Sequence, residues 1–273
     1  MKKILLFSLA LTVAGLVGCQ TSTCCADTPK KLLVVTTTTG FRHASIPTLE
    51  KVLAQLGQTS GEFTVDYVQQ PPGHAANGFP GKPKKDASPE ETKAFAEAEA
   101  KWNASLQQVL QKLSPENLKN YDGVVFASTT GDLPLPDKQG FLDWIKAGHA
   151  FIGIHAASDT FHGYPDFAAM LGGEFEHHGP QTDVIALNQD PKHPATAKLP
   201  AAWSINQEEI YQFKNYHADA VHDLLIMDKH PEHKDQAGHF AMSWCKNYGQ
   251  GRVFYTSLGH REDVIDTDPN LKD

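Results

Sequence analysis

Continuous apolar runs and segments of helical periodicity alternate along the chain. Buried strands are predicted where β-branched and other apolar residues run together between turn residues, at residues 31–39, 122–129 and 150–155. Residues 63–70 alternate between apolar and polar positions, as in a strand with one exposed face. Helical patterns occupy residues 45–55, 89–113, 137–147 and 164–171. Alternating strands and helices predict an α/β fold, with a doubly wound and mostly parallel sheet in a single domain.

The pattern changes after Gly173. Three shorter apolar runs predict strands joined by long irregular segments without equally clear helices, at residues 183–187, 224–227 and 252–257. Earlier in the chain, residues 71–89 are rich in Pro, Gly, Lys and His, which predicts a long exposed loop. We expect the folded domain to span residues 31–265 and to end in a polar tail at residues 266–273.

The N-terminus has the pattern of a secretory leader. Two lysines are followed by an apolar stretch at residues 4–17, too short for an ordinary membrane span. The sequence Leu16-Val17-Gly18-Cys19 resembles the bacterial lipobox, which predicts a signal peptide at residues 1–18 and a lipidated tether at residues 19–30. Lipid on Cys19 would anchor the domain to a membrane of the cell envelope, on the periplasmic side or at the outer membrane. A plain signal peptide with a chance cysteine is the alternative.

Charge and composition narrow the function classes. The formal net charge is −8, and an acidic surface repels phosphate backbones, so we expect no nucleic-acid partner. Cys24 and Cys25 lie in the tether and Cys245 stands alone in the domain, which predicts neither a disulfide framework nor a thiolate metal cluster. The chain contains 14 histidines, and histidine is both a metal ligand and a proton carrier near neutral pH. The composition therefore favours chemistry by imidazole.

Polar and ionisable residues follow the predicted core strands. Ligands bind beyond the carboxyl ends of the strands in sheets of this kind, so these residues are candidates for one site. They are Phe41, Arg42 and His43 after the first strand, Thr130 and Asp132 after residues 122–129, His155 at the end of residues 150–155 with Asp159 after it, and His260 after residues 252–257.

The sequence Gly153-Ile154-His155-Ala156-Ala157 has the form of a nucleophile elbow with histidine at the apex. Small flanking residues suit the tight turn between strand and helix. An imidazole at the apex cannot form an acyl-enzyme as Ser or Cys does, but it can transfer protons or bind a metal. The alternative is that His155 only caps the following helix.

Two further clusters lie in the second half of the chain. In an extended segment the adjacent His177 and His178 point to opposite sides, so at most one faces a common pocket, and we favour His178. Glu209 and Tyr211 lie in a short acidic stretch and are candidates for the site. The alternative interpretation of this stretch is an exposed turn. The remaining histidines of the second half carry less signal: His162 and His193 are weak candidates, and His230, His233 and His239 are expected to be exposed.

Five motifs occur in order along the chain: Gly40-Phe41-Arg42-His43, Gly153-Ile154-His155-Ala156-Ala157, Gly172-Gly173-Glu174-Phe175 with the histidine pair, Glu208-Glu209-Ile210-Tyr211, and Gly251-Arg252-Val253-Phe254-Tyr255 through Gly259-His260. Together they resemble the ThuA-like (trehalose utilisation) family over residues 31–264. The resemblance implies a flavodoxin-like fold of the class I glutamine amidotransferase type without the nucleophilic cysteine. It also implies a link to bacterial sugar catabolism, particularly of disaccharides oxidised to 3-keto forms.

Two departures from the family pattern stand out. Ile210 occupies a position where the family usually has an aromatic residue, so an aromatic platform for a sugar is missing there. The family also tends to continue into a further helix after the Gly259-His260 motif, and the polar run to Asp273 predicts that this helix is absent or shortened.

We therefore expect an enzyme that acts on keto-sugars or glycosides. His155 or His178 would be the base, and His43, Arg42 and His260 would stabilise an oxyanion. A divalent metal held by His155, His178 and Glu209 could replace that last role. Substrate contacts are expected from Phe41, Thr130, Asp132, Asp159, Glu209 and Tyr211. The alternative from another class is a non-catalytic lipoprotein that binds carbohydrate, and a glutamine amidotransferase is disfavoured because the elbow lacks cysteine.

Overall fold

Eleven strands and seven α-helices make up the part of the chain that the computed structural model describes, residues 28–72, 83–230, 232 and 236–272. In chain order these are β1 (Lys30–Val35), α1 (Ile46–Ser60), β2 (Phe63–Val68), α2 (Pro89–Leu110), α3 (Pro115–Leu118), β3 (Gly123–Ala127), α4 (Lys138–Lys146), β4 (Ala150–Ile154), α5 (Pro165–Leu171), β5 (Glu174–His178), β6 (Thr182–Asn188), β7 (Ala202–Glu208), β8 (Tyr211–Lys214), β9 (His222–Lys229), β10 (Ala237–Tyr248), β11 (Gly251–Thr256), α6 (Glu262–Thr267) and α7 (Pro269–Lys272). None of the helices in these ranges is long and apolar enough to span a membrane. Cys19 and the predicted leader lie outside the described residues.

Nine strands form one mixed sheet in the order β2-β1-β3-β4-β11-β10-β9-β6-β7. The first five are parallel to one another, and the last four continue the sheet in antiparallel fashion. Strands β5 and β8 pair separately as a two-stranded sheet. The predicted doubly wound α/β fold with parallel central strands is confirmed, while β7 and the twelve-residue β10 fall where the sequence predicted irregular segments.

Helices cover both faces of the parallel strands. Leu33 and Phe126 point to the face packed by α2, α4 and α5, and Val34 and Val125 point to the opposite face, packed by α1 and α6. All four side chains are buried, which is why these strands read as continuous apolar runs rather than as alternating ones.

The C-terminal segment differs from its prediction. The polar tail expected at residues 266–273 contains the end of α6 and all of α7, with Leu271 packed against the core. The further helix is therefore shortened rather than absent. The prediction of an exposed His230 was wrong, because its side chain is 1 % exposed, and His233 lies outside the described residues.

The loops that follow the parallel strands are tied to one another. The carbonyl oxygen of Thr130 accepts a hydrogen bond from the amide of Thr39 at 3.0 Å, and the amide of Gly131 donates to the carbonyl oxygen of Asp159 at 2.8 Å. These bonds connect the segments after β1, β3 and β4. The carboxyl ends of the strands therefore form one rigid platform for a site.

Gly131 provides a test of this loop packing. Its φ of +75° is in the left-handed region, and an added Cβ would lie 2.5 Å from Thr39 Oγ1. Gly163 has a similar φ of +70° but nothing within 4 Å of the corresponding position. We expect Gly163→Ala to lose about 1 kcal/mol of unfolding free energy, the cost of a left-handed alanine. Gly131→Ala should lose about 1–3 kcal/mol more through overpacking. Urea denaturation measures both, and equal losses would contradict the proposed loop contact.

Candidate functional site

His155 lies at a strained elbow where β4 ends. Its φ is +52°, an uncommon value for a residue other than glycine, and its side chain is fully buried. Tyr255 on β11 stabilises the turn, because its hydroxyl donates a hydrogen bond to the His155 carbonyl oxygen at 2.8 Å. A Cβ on Gly153 would lie 2.9 Å from the Tyr255 ring, so the small residue before the apex is required here. Such backbone strain is typical of functional sites.

One hydrogen bond sets the tautomer of His155. Its Nδ1 lies 2.7 Å from the carbonyl oxygen of Ser257, and a carbonyl oxygen can only accept, so Nδ1 carries the proton. In the neutral ring, Nε2 then has a free lone pair. Nε2 lies 3.1 Å from the hydroxyl of Tyr211, which can donate to it. Both nitrogens of the imidazole thus have hydrogen-bond partners outside the following helix, so the ring does not serve merely as a helix cap.

Three side chains from other loops surround Nε2 of His155. His43 follows β1, Glu209 follows β7 and His260 follows β11. Each of these residues and His155 offers one ligand atom, and the four atoms lie within 4.8 Å of one another. We refer to His43, His155, Glu209 and His260 as the four-residue cluster. It joins residues from both the parallel and the antiparallel parts of the sheet.

The cluster holds a buried carboxylate beside a neutral imidazole. Burial, together with the charges of His155 and His260, lowers the pKa of His43 to about 3. Burial alone would raise the pKa of Glu209, but the imidazoles of His155 and His260, 3.6 Å and 3.0 Å from its Oε2, outweigh burial and lower that pKa well below its usual range. Burial raises the pKa of Tyr211 well above its ordinary value, so its hydroxyl stays protonated.

A buried carboxylate that the sequence analysis did not choose supports this arrangement. Glu208 accepts hydrogen bonds from the backbone amides of Glu209 at 3.1 Å, His260 at 3.2 Å and Gly259 at 3.4 Å. Glu208 therefore joins the end of β7 to the segment after β11 and fixes both backbones. Its signal in the sequence was its place in the motif Glu208-Glu209-Ile210-Tyr211.

The predicted His178 lies at the edge of the cluster. A β-bulge between Phe175 and His177 leaves His178 directly opposite Tyr211 in the β5–β8 pair. The two rings stack with centroids 5.8 Å apart, and His178 Nε2 lies 3.7 Å from Glu209 Oε1. His178 is 38 % exposed and is not a member of the four-residue cluster.

An open cavity of about 720 Å³ adjoins the cluster. His43 and His260 form part of its wall, together with residues of α6. At its rim stands Phe41, which is 63 % exposed and packs edge-on against His43 with ring centroids 4.8 Å apart. An exposed aromatic ring beside buried titratable groups suits a ligand with both apolar and polar faces.

Four predicted site residues are directed elsewhere. The guanidinium of Arg42, which is expected to stabilise an oxyanion, donates to the carbonyl oxygen of Thr36 at 2.7 Å. The hydroxyl of Thr130 donates a hydrogen bond to the carbonyl oxygen of Phe41. Asp132 is exposed and lines a separate depression. Asp159 pairs with His162 at 2.8 Å, and burial raises its pKa.

The depressed pKa of His43 predicts an acid sensitivity. In the unfolded chain His43 binds a proton as the pH falls below its ordinary pKa of 6.5, whereas in the native state it stays neutral until about pH 3. The free energy of unfolding therefore decreases as the pH falls through this window. We expect His43→Gln to remove this component, at most about 1.4 kcal/mol per pH unit. Urea unfolding of chelator-treated proteins at pH 7.5 and 4.5 measures it. Equal acid losses in both proteins would contradict the low pKa.

Removal of Glu208 should unfold the site. Glu208→Ala leaves three backbone amides without their acceptor, and we expect a loss of about 2–4 kcal/mol in unfolding free energy. Glu62→Ala is the control, because Glu62 is exposed. Denaturant midpoints of the two variants provide the measurement, and similar small losses would show that Glu208 does not hold these segments together.

Comparison with known proteins agrees with this architecture. The family model for ThuA, described as trehalose utilisation, matches residues 31–272, whereas no curated protein matches the sequence. A ThuA-like protein from Bacteroides uniformis superposes with a TM-score of 0.60 at 20 % identity, covering 90 % of this chain and 89 % of that one. A ThuA-like protein from Parabacteroides merdae gives 0.57 at 20 % identity, covering 85 % and 80 %. Because the family model spans nearly all of the folded chain, the protein belongs to the ThuA (trehalose utilisation) family and has a role in sugar metabolism.

Proposed function

We propose that this protein is an enzyme that cleaves 3-keto glycosides or disaccharides in the cell envelope. The observation that carries the proposal is the density of buried titratable groups, three imidazoles and a carboxylate within 4.8 Å. A site that only binds sugar needs aromatic faces and neutral polar groups. It does not need an imidazole on a strained backbone or an ionised buried carboxylate.

The chemistry that fits these groups is elimination followed by hydration. A keto group at C3 of the sugar acidifies the proton at C2, so a base removes that proton and the electron pair forms an enolate. The enolate collapses, C3=O is restored, a C1=C2 double bond forms, and the substituent at C1 leaves with a proton as an alcohol. Addition of water to the double bond completes a net hydrolysis without any change in oxidation state.

Two imidazoles are candidate bases. His155 is preorganised, because its bond to Ser257 directs the Nε2 lone pair into the cluster. His178 is half-exposed at the edge of the cluster, and its Nε2 faces Glu209. Tyr211 lies between them and stays protonated, so its hydroxyl can donate a hydrogen bond to an enolate oxygen or to the leaving group.

A non-catalytic carbohydrate-binding protein remains the second candidate. The exposed ring of Phe41 at the rim of the cavity favours it, because sugar rings stack on aromatic faces. In either case we propose that lipid on Cys19 anchors the chain to the envelope, on the strength of its leader sequence.

The adjacent histidines of β5 offer a matched test of catalysis. The full-length chain is incubated with a 3-keto disaccharide and with its unoxidised parent, and release of the monosaccharide is followed. We expect turnover of the keto form only. Tyr211→Phe should lower kcat at least about 10²-fold, and so should loss of the base, which a comparison of His155→Ala with His178→Ala identifies. The neighbouring His177→Ala, which changes an exposed ring paired with Glu176, should retain the activity within about twofold.

Failure of this test has a defined meaning. A folded protein that binds the keto-disaccharide without turnover would replace the enzyme by the carbohydrate-binding protein. Loss of activity in His177→Ala equal to that in His178→Ala would show that the orientation set by the β-bulge does not matter for the reaction.

A further inference from the structure

Two buried polar atoms in the four-residue cluster lack a hydrogen bond. His43 Nδ1 has no partner, and Glu209 Oε2 makes no aligned hydrogen bond although it lies 3.0 Å from His260 Nδ1. Unpaired buried polar atoms destabilise a native fold, and their presence in a native site calls for an explanation. Both atoms belong to residues that surround the Nε2 lone pair of His155.

The spacing of the donor atoms matches a coordination sphere. Metal bonds of about 2.0–2.1 Å in tetrahedral geometry place neighbouring ligand atoms about 3.3 Å apart. The separations here are 3.0 Å from His260 Nδ1 to Glu209 Oε2, 3.3 Å from His260 Nδ1 to His155 Nε2, and 3.6 Å from His155 Nε2 to Glu209 Oε2. These three atoms thus lie at ligand spacing, and the ligand atom of His43 lies within 4.8 Å of each of them.

The outer nitrogen of His155 is held as it is in metal sites, because His155 Nδ1 donates to the carbonyl oxygen of Ser257. His260 Nε2 lies 2.7 Å from Nε2 of Gln181, so ligation through His260 Nδ1 requires the Gln181 amide to turn and accept from Nε2–H through its oxygen. A ligating histidine normally uses its second nitrogen in this way, which fixes the ring and its tautomer. The backbones of Glu209 and His260 are in turn fixed by Glu208.

We propose that His43, His155, Glu209 and His260 bind one divalent transition-metal ion. Three imidazoles with a single carboxylate suit Zn²⁺, Mn²⁺, Fe²⁺, Co²⁺ or Ni²⁺ rather than Mg²⁺ or Ca²⁺, which prefer all-oxygen ligand sets. This set differs from the one expected from the sequence, because His43 and His260 take the place of His178.

The inference deepens the proposed function and rests on it only for its catalytic consequence. A bound divalent ion supplies a Lewis acid for the keto oxygen of the substrate. The lone pair of His155 would then be engaged as a ligand, which leaves His178 as the base. The metal site itself is testable without any substrate.

Metal content and titration test the donor set directly. The full-length chain is stripped with chelator, dialysed, and titrated with Zn²⁺, Mn²⁺, Co²⁺ and Ni²⁺ by calorimetry, and bound metal is counted by elemental analysis. We expect Glu209→Gln and His43→Gln to remove one bound ion per chain, or to weaken its affinity at least about 100-fold. His178→Ala should retain that ion at the wild-type affinity. Co²⁺ should give a visible absorption band that the two cluster variants lack.

Each outcome bears on the inference. Circular dichroism and a thermal transition show whether each variant folds. Glu209→Gln preserves side-chain size, so it tests the donor set even if His43→Gln does not fold. A folded wild-type protein that binds no ion overturns the inference but leaves metal-free acid–base chemistry at His155 in place. Loss of the ion in His178→Ala but not in His43→Gln overturns this donor set. Binding of the ion without turnover of the keto-disaccharide supports the metal site and rejects the enzyme.

Discussion

A single hydrogen bond, from Nδ1 of His155 to the carbonyl oxygen of Ser257, determines what the site can do. It crosses from the elbow after β4 to the end of β11, and it is buried. With this bond in place, the second nitrogen of the ring presents a lone pair to the neighbouring loops. If the carbonyl pointed elsewhere, the proton could move to the other nitrogen and the centre of the cluster would become a donor. The fold therefore controls the chemistry by fixing one proton.

The two parts of the sheet contribute differently to the site. The parallel strands supply His43, His155 and His260 from loops that follow buried strands, as expected for an open α/β sheet. The antiparallel extension supplies the carboxylate of Glu209, and the small β5–β8 sheet supplies the hydroxyl of Tyr211. Neither part alone collects an imidazole, a carboxylate and a phenol. The extension is thus what distinguishes this site from a simple strand-end pocket.

The sequence predicted the parallel core and the convergence of its strand ends, because continuous apolar runs and the ends of parallel strands obey general rules. It did not predict β7, in which only Trp203 and Ile205 alternate with polar residues, or β10, whose residues are neither continuously apolar nor regularly alternating. The sequence also did not predict the direction of the side chains that follow a strand. Arg42 and His43 are adjacent, yet one binds a backbone carbonyl and the other enters the cluster. Arg42 finds its acceptor in the segment just before it, whereas His43 packs against His155 and His260, which are distant in sequence, and no periodic pattern encodes this difference.

The β-bulge in β5 has a consequence for comparing related chains. Glu176 and His177 together oppose Gln212, and His178 therefore meets Tyr211. Loss of Glu176 would make the strand regular and still leave His178 opposite Tyr211. The number of residues between Gly173 and this histidine can therefore vary by one without moving the imidazole. An alignment of relatives that counts positions from the glycine pair would equate the wrong histidines, whereas one anchored on the tyrosine partner would equate the right ones.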